Sequence, residues 1–244
     1  MLEGRGLSFS YLGDKPLLEN VTIQVRRGRI QSVLGPNGSG KTTLLLLVSG
    51  LLRPFSGEVL LEGRNLFEML PGARRYIGVM FQRPDDHLFN PIVRDELLFT
   101  LTQLELGQKE IEERIGQIAE ILSLKDLLNK PIYALSFGEK RRVALASILV
   151  YDPVYLLLDE PFANLDPRNT VVFLRLLCSL RESKGILVAS QDVELAEPIS
   201  DYIYVLNDGR IVWEGPPPIP RSILEETGLY ARVAPCSSTL NIPL

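Results

Sequence analysis

One short run of residues constrains the fold of this chain more than any other. It reads Gly35-Pro36-Asn37-Gly38-Ser39-Gly40-Lys41-Thr42-Thr43 and fits the pattern G-x-x-x-x-G-K-[ST]. In this pattern the glycines allow backbone N–H groups to surround phosphate oxygens. An apolar run, Ile30 to Leu34, precedes this phosphate loop, and a second apolar run, Leu44 to Val48, follows it. The order predicts strand, loop and helix, which is the context that a phosphate loop requires.

The residues of the phosphate loop predict the ligand as well as the turn. We expect the backbone over residues 35–43 to bind phosphates, with the positive end of the following helix beneath them. The amine of Lys41 can reach β- and γ-phosphates, and the hydroxyl of Thr42 can bind Mg²⁺. The expected ligand is therefore a nucleoside triphosphate with its magnesium ion.

Composition and charge limit the classes of protein to which this chain can belong. A length of 244 residues suits one large α/β domain or a domain with an inserted lobe. The net charge of −4 argues against general nucleic-acid binding. Cys178 and Cys236 lack the spacing of a metal site, and we interpret them as reduced thiols of a cytosolic protein. With no signal segment and no run of about 18 apolar residues, the chain is not expected to cross a membrane by itself.

The beginning of the chain predicts antiparallel strands. Across residues 2–34 apolar and polar residues alternate, with turns at 13–16 and 26–28. Tyr11 follows the first strand. It can stack on an adenine ring or be a half-exposed aromatic residue of the strand, and the spacing leaves both interpretations open.

The middle of the chain predicts an inserted helical subdomain over residues 84–150. Helical patterns over Val93–Glu105, Lys109–Leu122 and Gly138–Val150 interrupt the alternation of strands and helices there. Residues 1–83 and 151–230 are then expected to form the core of a single domain spanning 1–230. Residues 231–244 are expected to be a loosely held tail.

A pair of carboxylates follows the next strand. The apolar run Tyr155–Leu158 is typical of a buried parallel strand, and it ends in Asp159 and Glu160. Open α/β sheets bind ligands at this end of their strands. We expect Asp159 to bind Mg²⁺ opposite Thr42, either directly or through another ligand of the ion. We expect Glu160 to polarise a water that attacks the γ-phosphate.

The last part of the chain returns to alternating elements. It predicts a helix over Arg168–Leu180, a strand over Gly185–Ala189 and a short helix over Val193–Ile199. A turn at Asn207-Asp208-Gly209 then joins Tyr202–Leu206 and Arg210–Glu214 in a hairpin.

Four further segments carry a family resemblance. They are Gln82, the signature segment Leu135-Ser136-Phe137-Gly138-Glu139, the run Leu156 to Pro161, and Asn164-Leu165-Asp166. With the phosphate loop, they make nearly the whole chain resemble the ATP-binding subunit of ABC transporters. The resemblance implies an α/β phosphate-loop ATPase fold. Its parts are a central, mostly parallel sheet, an N-terminal antiparallel β-subdomain and an inserted α-helical subdomain.

Two shorter segments narrow the resemblance. Residues Phe81 to Phe89 and Lys140 to Ala146 are similar to energy-coupling-factor importers, which take up vitamins, cobalt or nickel. The resemblance then implies hydrolysis of ATP with Mg²⁺, coupled to import. It also implies a peripheral position on the cytoplasmic, inner face of the cell membrane, against an integral membrane subunit, with no nucleic acid as partner.

The resemblance also implies a head-to-tail dimer with a second ATPase subunit, identical or paralogous. Each ATP would lie between the phosphate loop of one subunit and the signature segment of the other. Ser136 and Gly138 would bind the γ-phosphate held by the partner. Gln82 would bind Mg²⁺ and relay the nucleotide state to the helical subdomain.

This chain departs from the family pattern at several positions. Gln191 stands where the family usually has histidine; it can donate a hydrogen bond to a γ-phosphate but cannot become cationic. We therefore count Gln191 with Lys41 and Glu160 as catalytic candidates and expect slower hydrolysis. Glu139 stands where glutamine is common and adds negative charge near the expected phosphate. The single histidine, His87, is expected to be a surface or docking residue.

Other functions remain open at this point. Gln191 is compatible with a nucleotide-binding regulatory subunit that has little turnover, although Glu160 argues against it. A soluble ATPase of the same superfamily acting on nucleic acid or ribosomes is disfavoured, because the chain has one cassette and no long heptad tract. A small-molecule kinase would not explain the signature segment. The transported substrate does not follow from the sequence.

Overall fold

Two sheets organise the chain. A computed structural model describes residues 1–11, 15–104 and 106–230. The first sheet is antiparallel, in the order β2-β1-β4-β5. Its strands are β1 (Leu2–Phe9), β2 (Leu18–Val25), β4 (Ser56–Leu61) and β5 (Arg64–Asn65). Position 105, the predicted tail 231–244 and part of the predicted turn at 13–16 lie outside the described residues.

The second sheet is mostly parallel and has the order β10-β9-β3-β8-β7-β6. Only the β9–β10 hairpin is antiparallel. Its strands are β3 (Arg29–Leu34), β6 (Ile77–Met80), β7 (Tyr155–Asp159), β8 (Gly185–Ser190), β9 (Tyr202–Asn207) and β10 (Arg210–Gly215). Every residue of β7 and β8 is buried because helices or the other sheet cover both faces.

One strand prediction is wrong. The sequence predicts antiparallel strands throughout residues 2–34, but β3 lies parallel to β8 and β9 in the second sheet. The reason is visible in its burial, since every residue from Ile30 to Leu34 is buried. A strand buried on both faces needs apolar residues on both, rather than the alternation of a half-exposed strand.

Seven helices surround the sheets in the described part of the chain. They are α1 (Lys41–Val48), α2 (Val93–Thr102), α3 (Gln108–Ile121), α4 (Phe137–Leu149), α5 (Pro167–Leu180), α6 (Val193–Ala196) and α7 (Arg221–Glu226). The predicted helix over Val193–Ile199 divides into α6 and a 3₁₀ turn, Glu197–Ile199. Pro198 lacks a backbone N–H and is the reason that the α-helix ends there.

The helices α2, α3 and α4 make up the helical part of the chain between β6 and β7. The helix α4 joins that part to the parallel sheet. Its residues Val143 and Ile148 belong to one apolar cluster with Leu97 of α2, Ile115 of α3 and Leu158 of β7. The position of α4 is therefore tied to the strand that ends in the predicted carboxylates. None of the described helices combines the length and apolar composition needed to cross a bilayer.

Candidate nucleotide-binding site

The carboxyl ends of four neighbouring parallel strands bring the predicted residues together. The strands β3, β8, β7 and β6 are adjacent in that order. They lead respectively into the phosphate loop, Gln191, Asp159 with Glu160, and Gln82. Parallel strands end at the same edge of a sheet, and that edge is where open α/β sheets bind ligands.

The glycines shape the phosphate loop. A Cβ atom on Gly35 would lie 2.2 Å from the Leu206 carbonyl oxygen, so only glycine fits there. Gly38 and Gly40 have φ angles of 80° and 104°, which glycine adopts without strain. Beyond them α1 begins without a side-chain cap. Its first N–H groups have no side-chain acceptor, which is the arrangement that a phosphate can occupy.

The amine of Lys41 lies inside the loop. It donates hydrogen bonds to the carbonyl oxygens of Gly35 (2.8 Å) and Pro36 (3.1 Å) and lies 3.8 Å from a Glu160 carboxylate oxygen. Burial lowers the pKa of Lys41 and raises the pKa of Glu160, despite the attraction between the two groups. Desolvation therefore outweighs this ion pair, and an anion bound in the loop would compensate the amine.

Two of the three predicted magnesium residues, Thr42 and Asp159, are in direct contact. The Thr42 hydroxyl donates to Asp159 Oδ2 at 2.7 Å, while burial raises the pKa of Asp159. Two buried oxygens have no hydrogen-bond partner: Asp159 Oδ1 in this contact, and Ser39 Oγ in the phosphate loop. An unpaired buried oxygen costs about 1–3 kcal/mol, so these atoms favour a ligand. A hydroxyl and a carboxylate are oxygen donors of the kind that Mg²⁺ prefers, and the residues fit that ion.

Glu160 is held from several sides. Its backbone has a φ of 44°, a conformation that costs about 1–3 kcal/mol in a residue other than glycine. Its N–H donates to the Ala189 carbonyl oxygen at 2.8 Å. Its carboxylate accepts hydrogen bonds from the Ser190 hydroxyl (3.1 Å) and the Gln191 backbone N–H (3.0 Å). The carboxylate is therefore oriented by the end of β8.

The two glutamines occupy the edge of the site with exposed side chains. Gln191 contacts Glu160 through its backbone N–H, and Gln82 accepts a hydrogen bond from Arg141 through its backbone carbonyl. Tyr11 also lies here, 57 % exposed, with its hydroxyl 3.2 Å from the Thr43 hydroxyl. Its ring packs edge-on against the Phe9 ring, with 4.9 Å between the ring centres. Tyr11 is thus an exposed aromatic residue that lies beside the phosphate loop.

The signature segment forms the N-terminus of α4. Ser136 is the N-cap and accepts from the Glu139 N–H, while the Glu139 carboxylate accepts from the Ser136 N–H at 2.8 Å. These hydrogen bonds lower the pKa of Glu139. Gly138 lies next to Asn169 of α5. Among the described residues, no hydrogen bond or ion pair joins Ser136 or Gly138 to the phosphate loop.

Sequence reasoning missed two side chains of this site. Ser190 reaches Glu160, but a serine at a strand end is a weak signal. Arg141 donates to the carbonyl oxygens of Gln82 and Glu160, yet it belongs to a run of charged residues that is typical of a solvated helix face. His87, which we expected to be a surface or docking residue, is half-buried against Phe81, and burial lowers its pKa.

A parallel sheet with a phosphate loop after β3 and paired carboxylates after β7 defines a phosphate-loop nucleoside triphosphatase. A family profile described as ABC transporter matches residues 18–163. An energy-coupling factor transporter ATP-binding protein, EcfA, of Methanothermobacter thermautotrophicus is 39 % identical over 221 residues. The aligned part covers 89 % of this chain and 71 % of that relative.

Solved structures agree with the sequence relatives. The protein cbiO1 from Clostridium perfringens, part of the ABC transporter complex cbiONQ, superposes with a TM-score of 0.81 at 30 % identity. The match covers 93 % of this chain and 90 % of cbiO1. A dimeric ATP-binding cassette in a post-hydrolysis state with ADP and Pi has a TM-score of 0.80 at 26 % identity, covering 88 % and 98 %.

The chain therefore belongs to the ATP-binding subunits of ABC transporters, and it is an ATPase of that family. The predicted fold class is confirmed, as is the predicted similarity to energy-coupling-factor ATPases.

Proposed function

We propose that this ATPase subunit powers the import of a vitamin or a metal ion in a complex of the energy-coupling-factor type. It works at the cytoplasmic, inner face of the cell membrane as a peripheral protein. The contact of Thr42 with Asp159, beside a Glu160 carboxylate oriented by β8, carries the catalytic part of this proposal. The similarity to EcfA and to a subunit of cbiONQ supports the kind of complex.

The residues divide the work of hydrolysis. The phosphate loop and Lys41 hold the phosphates, and Tyr11 stacks on the adenine. Thr42, Asp159 and Gln82 hold Mg²⁺, which supplies positive charge against the phosphate oxygens when it is bound. Glu160 accepts a proton from the attacking water, and the Ser190 hydroxyl and the Gln191 N–H keep its carboxylate in place. The side chain of Gln191 donates a hydrogen bond to the γ-phosphate.

The second ATPase subunit completes the site. Ser136 and Gly138 lie at a helix N-terminus, which favours anions, but they have no hydrogen bond or ion pair with the phosphate loop among the described residues of one chain. We propose that they bind the γ-phosphate held by the partner, which is a second copy of this chain or a paralogue.

A groove beside the site is suited to the membrane subunit. It has a volume of about 1240 Å³ and lies between β6 and the end of α2. Its lining combines aromatic and basic side chains, among them Tyr76, Phe81, Arg75 and Arg114. Because β6 continues directly into Gln82, a membrane subunit in this groove contacts the strand that leads to the nucleotide.

The replacement of Glu160 by glutamine tests the catalytic part. Glu160→Gln keeps the side-chain shape and removes the base, so we expect turnover to fall by about 10²–10⁴ while ATP binding persists. Glu214→Gln, on the exposed face of β10, is the matched control and should retain turnover. Unchanged hydrolysis in Glu160→Gln would contradict the assignment of the base.

The replacement of Gln191 by histidine tests the hypothesis that hydrolysis is slower in the site that uses Gln191. A histidine can carry positive charge toward the γ-phosphate, so Gln191→His should raise turnover in the complex with its partners. If Gln191→His leaves turnover unchanged while Glu160→Gln abolishes it, the hypothesis is wrong.

The import complex itself is tested by purification from the native membrane. We expect an integral transport subunit and a small substrate-capturing membrane protein to accompany the chain. An exporter-type membrane protein in their place would overturn the import assignment and leave the ATPase assignment intact.

A further inference from the structure

A buried arginine lies behind the catalytic carboxylate. Arg141 of α4 is 1 % exposed, and within the described residues it forms no ion pair with a carboxylate. An arginine is rarely buried without such a pair. Its two terminal nitrogens donate instead to main-chain carbonyl oxygens, Nη1 to Glu160 at 2.8 Å and Nη2 to Gln82.

These two carbonyls lie just beyond the ends of neighbouring strands, β6 and β7. The ladder between β6 and β7 ends with Met80 opposite Leu158, so Gln82 and Glu160 each lie two residues beyond the last pair. At that point the strands no longer hold each other through backbone hydrogen bonds. The guanidinium of Arg141 bridges this gap, and its planar fork is suited to binding two acceptors at once.

The same guanidinium contacts the signature segment. Its central carbon lies 5.2 Å from the centre of the Phe137 ring, within range of a cation–π interaction. Phe137 is 37 % exposed at the first turn of α4. One side chain therefore connects the signature segment, the glutamine at the end of β6 and the backbone of the catalytic glutamate.

The arrangement is costly for stability. Burial lowers the pKa of Arg141 to about 10 despite the attraction of the Glu160 and Asp159 carboxylates, and its Nε is buried without a partner. An apolar residue of similar size would avoid that cost. What the arginine provides is a fixed distance between two segments whose side chains act on the nucleotide.

We propose that Arg141 is a positioning residue that couples Gln82 and the signature segment to the catalytic carboxylate of Glu160. A shift of Gln82 or of Phe137 then moves the Glu160 backbone, which is held in its φ of 44° from this side. The inference rests on the roles proposed for Gln82 and Glu160.

Steady-state hydrolysis by the full chain with its partner subunits tests this coupling. Arg141→Met keeps the length of the side chain and removes both donors, so we expect kcat to fall about tenfold or more, with KM for ATP within about twofold of wild type. Arg141→Lys can donate to one carbonyl at a time and should recover part of kcat.

The neighbouring arginine is the matched control. Arg142 donates to the carbonyl oxygens of Leu122 and Ser123 at the end of α3 and contacts neither Gln82 nor Glu160. Arg142→Met should therefore keep kcat near wild type per folded molecule, as determined by thermal unfolding. An equal loss of kcat in both variants would mean that α4 is merely loosened, and would overturn the proposal.

A double-mutant cycle covers the case in which Arg141→Met does not fold. Phe137→Leu removes the ring from an exposed position, and we expect it to lower kcat a few-fold alone but not further in Arg141→Gln, which has no cation to place over the ring. Additive effects would overturn the coupling. An unchanged kcat in Arg141→Met would also overturn the coupling. A fall in kcat together with a rise in KM for ATP would do the same. If Glu160→Gln itself retains turnover, the proposed base fails instead.

Discussion

Two helices of this protein begin at positions expected to meet phosphate, and their N-termini differ. The helix α1 follows the phosphate loop and has no side-chain cap; its N-cap is Gly40. The helix α4 follows the signature segment and is closed by a reciprocal capping box between Ser136 and Glu139. The N-terminus of α1 therefore has backbone N–H groups without a side-chain acceptor. At the N-terminus of α4, the capping box satisfies two backbone N–H groups, those of Ser136 and Glu139.

The charges around the two ends differ in the same sense. Lys41 lies at the start of α1 and places a cation inside the loop. Glu139 lies in the first turn of α4, and the hydrogen bonds from Ser136 lower its pKa, so it is ionised at neutral pH. We therefore propose that the loop is preformed for phosphate, whereas phosphate binding by the signature segment would come at a cost in capping and charge.

The largest effect is expected from removing the cation at the start of α1. Lys41→Met should reduce turnover by about 10²–10³, the usual effect of losing a donor to developing charge. Stability should change little, because the buried amine is already poorly compensated. ATP hydrolysis and thermal unfolding measure the two effects. Lys125→Met, at an exposed ion pair, is the control, and equal turnover in both variants would contradict the assignment.

A smaller effect is expected from removing the N-cap of α4. Ser136→Ala loses the acceptor for the Glu139 N–H and should destabilise the fold by about 1 kcal/mol. It also removes the proposed donor to the partner's γ-phosphate, so turnover should fall about tenfold. Ser183→Ala is the control for the loss of a serine hydroxyl, because the Ser183 hydroxyl donates to the Leu180 carbonyl oxygen at the end of α5. A loss of stability with normal turnover would show that Ser136 is only a cap.

The smallest effect is expected from removing the negative charge at the start of α4. Glu139→Gln can retain the hydrogen bond to the Ser136 N–H and removes the negative charge, so ATP-dependent dimerisation should tighten about two- to fivefold. Sedimentation at low and high salt measures it, since salt should reduce the difference. Glu113→Gln on α3 is the control, and weaker dimerisation in Glu139→Gln would contradict the comparison.

The same carboxylate predicts a dependence of stability on pH. The folded pKa of Glu139 is lower than its ordinary value of 4.5. Its contribution to stability is therefore complete above that ordinary pKa and disappears as the pH falls through the folded pKa. In denaturant unfolding, Glu139→Gln should lose less stability than wild type between neutral and acidic pH.

The parts of this protein that sequence reasoning could predict are those set by neighbouring residues. The phosphate loop is recognisable because its glycines, Lys41 and Thr42 must follow one another in a single turn. The apolar strand that ends in Asp159 is recognisable for the same reason. Their direct contact, through the Thr42 hydroxyl, agrees with the predicted arrangement.

Other features of this protein depend on contacts between segments that are distant in the chain, and they appear only in the folded structure. The sequence alone did not place β3 in the parallel sheet, because burial on both faces depends on which elements cover a strand. Nor did it identify Arg141, whose charged neighbours are typical of a solvated face. The arginine is buried because α4 packs against β6 and β7 where their ladder ends, and only the assembled sheet brings the carbonyls of Gln82 and Glu160 together at that gap.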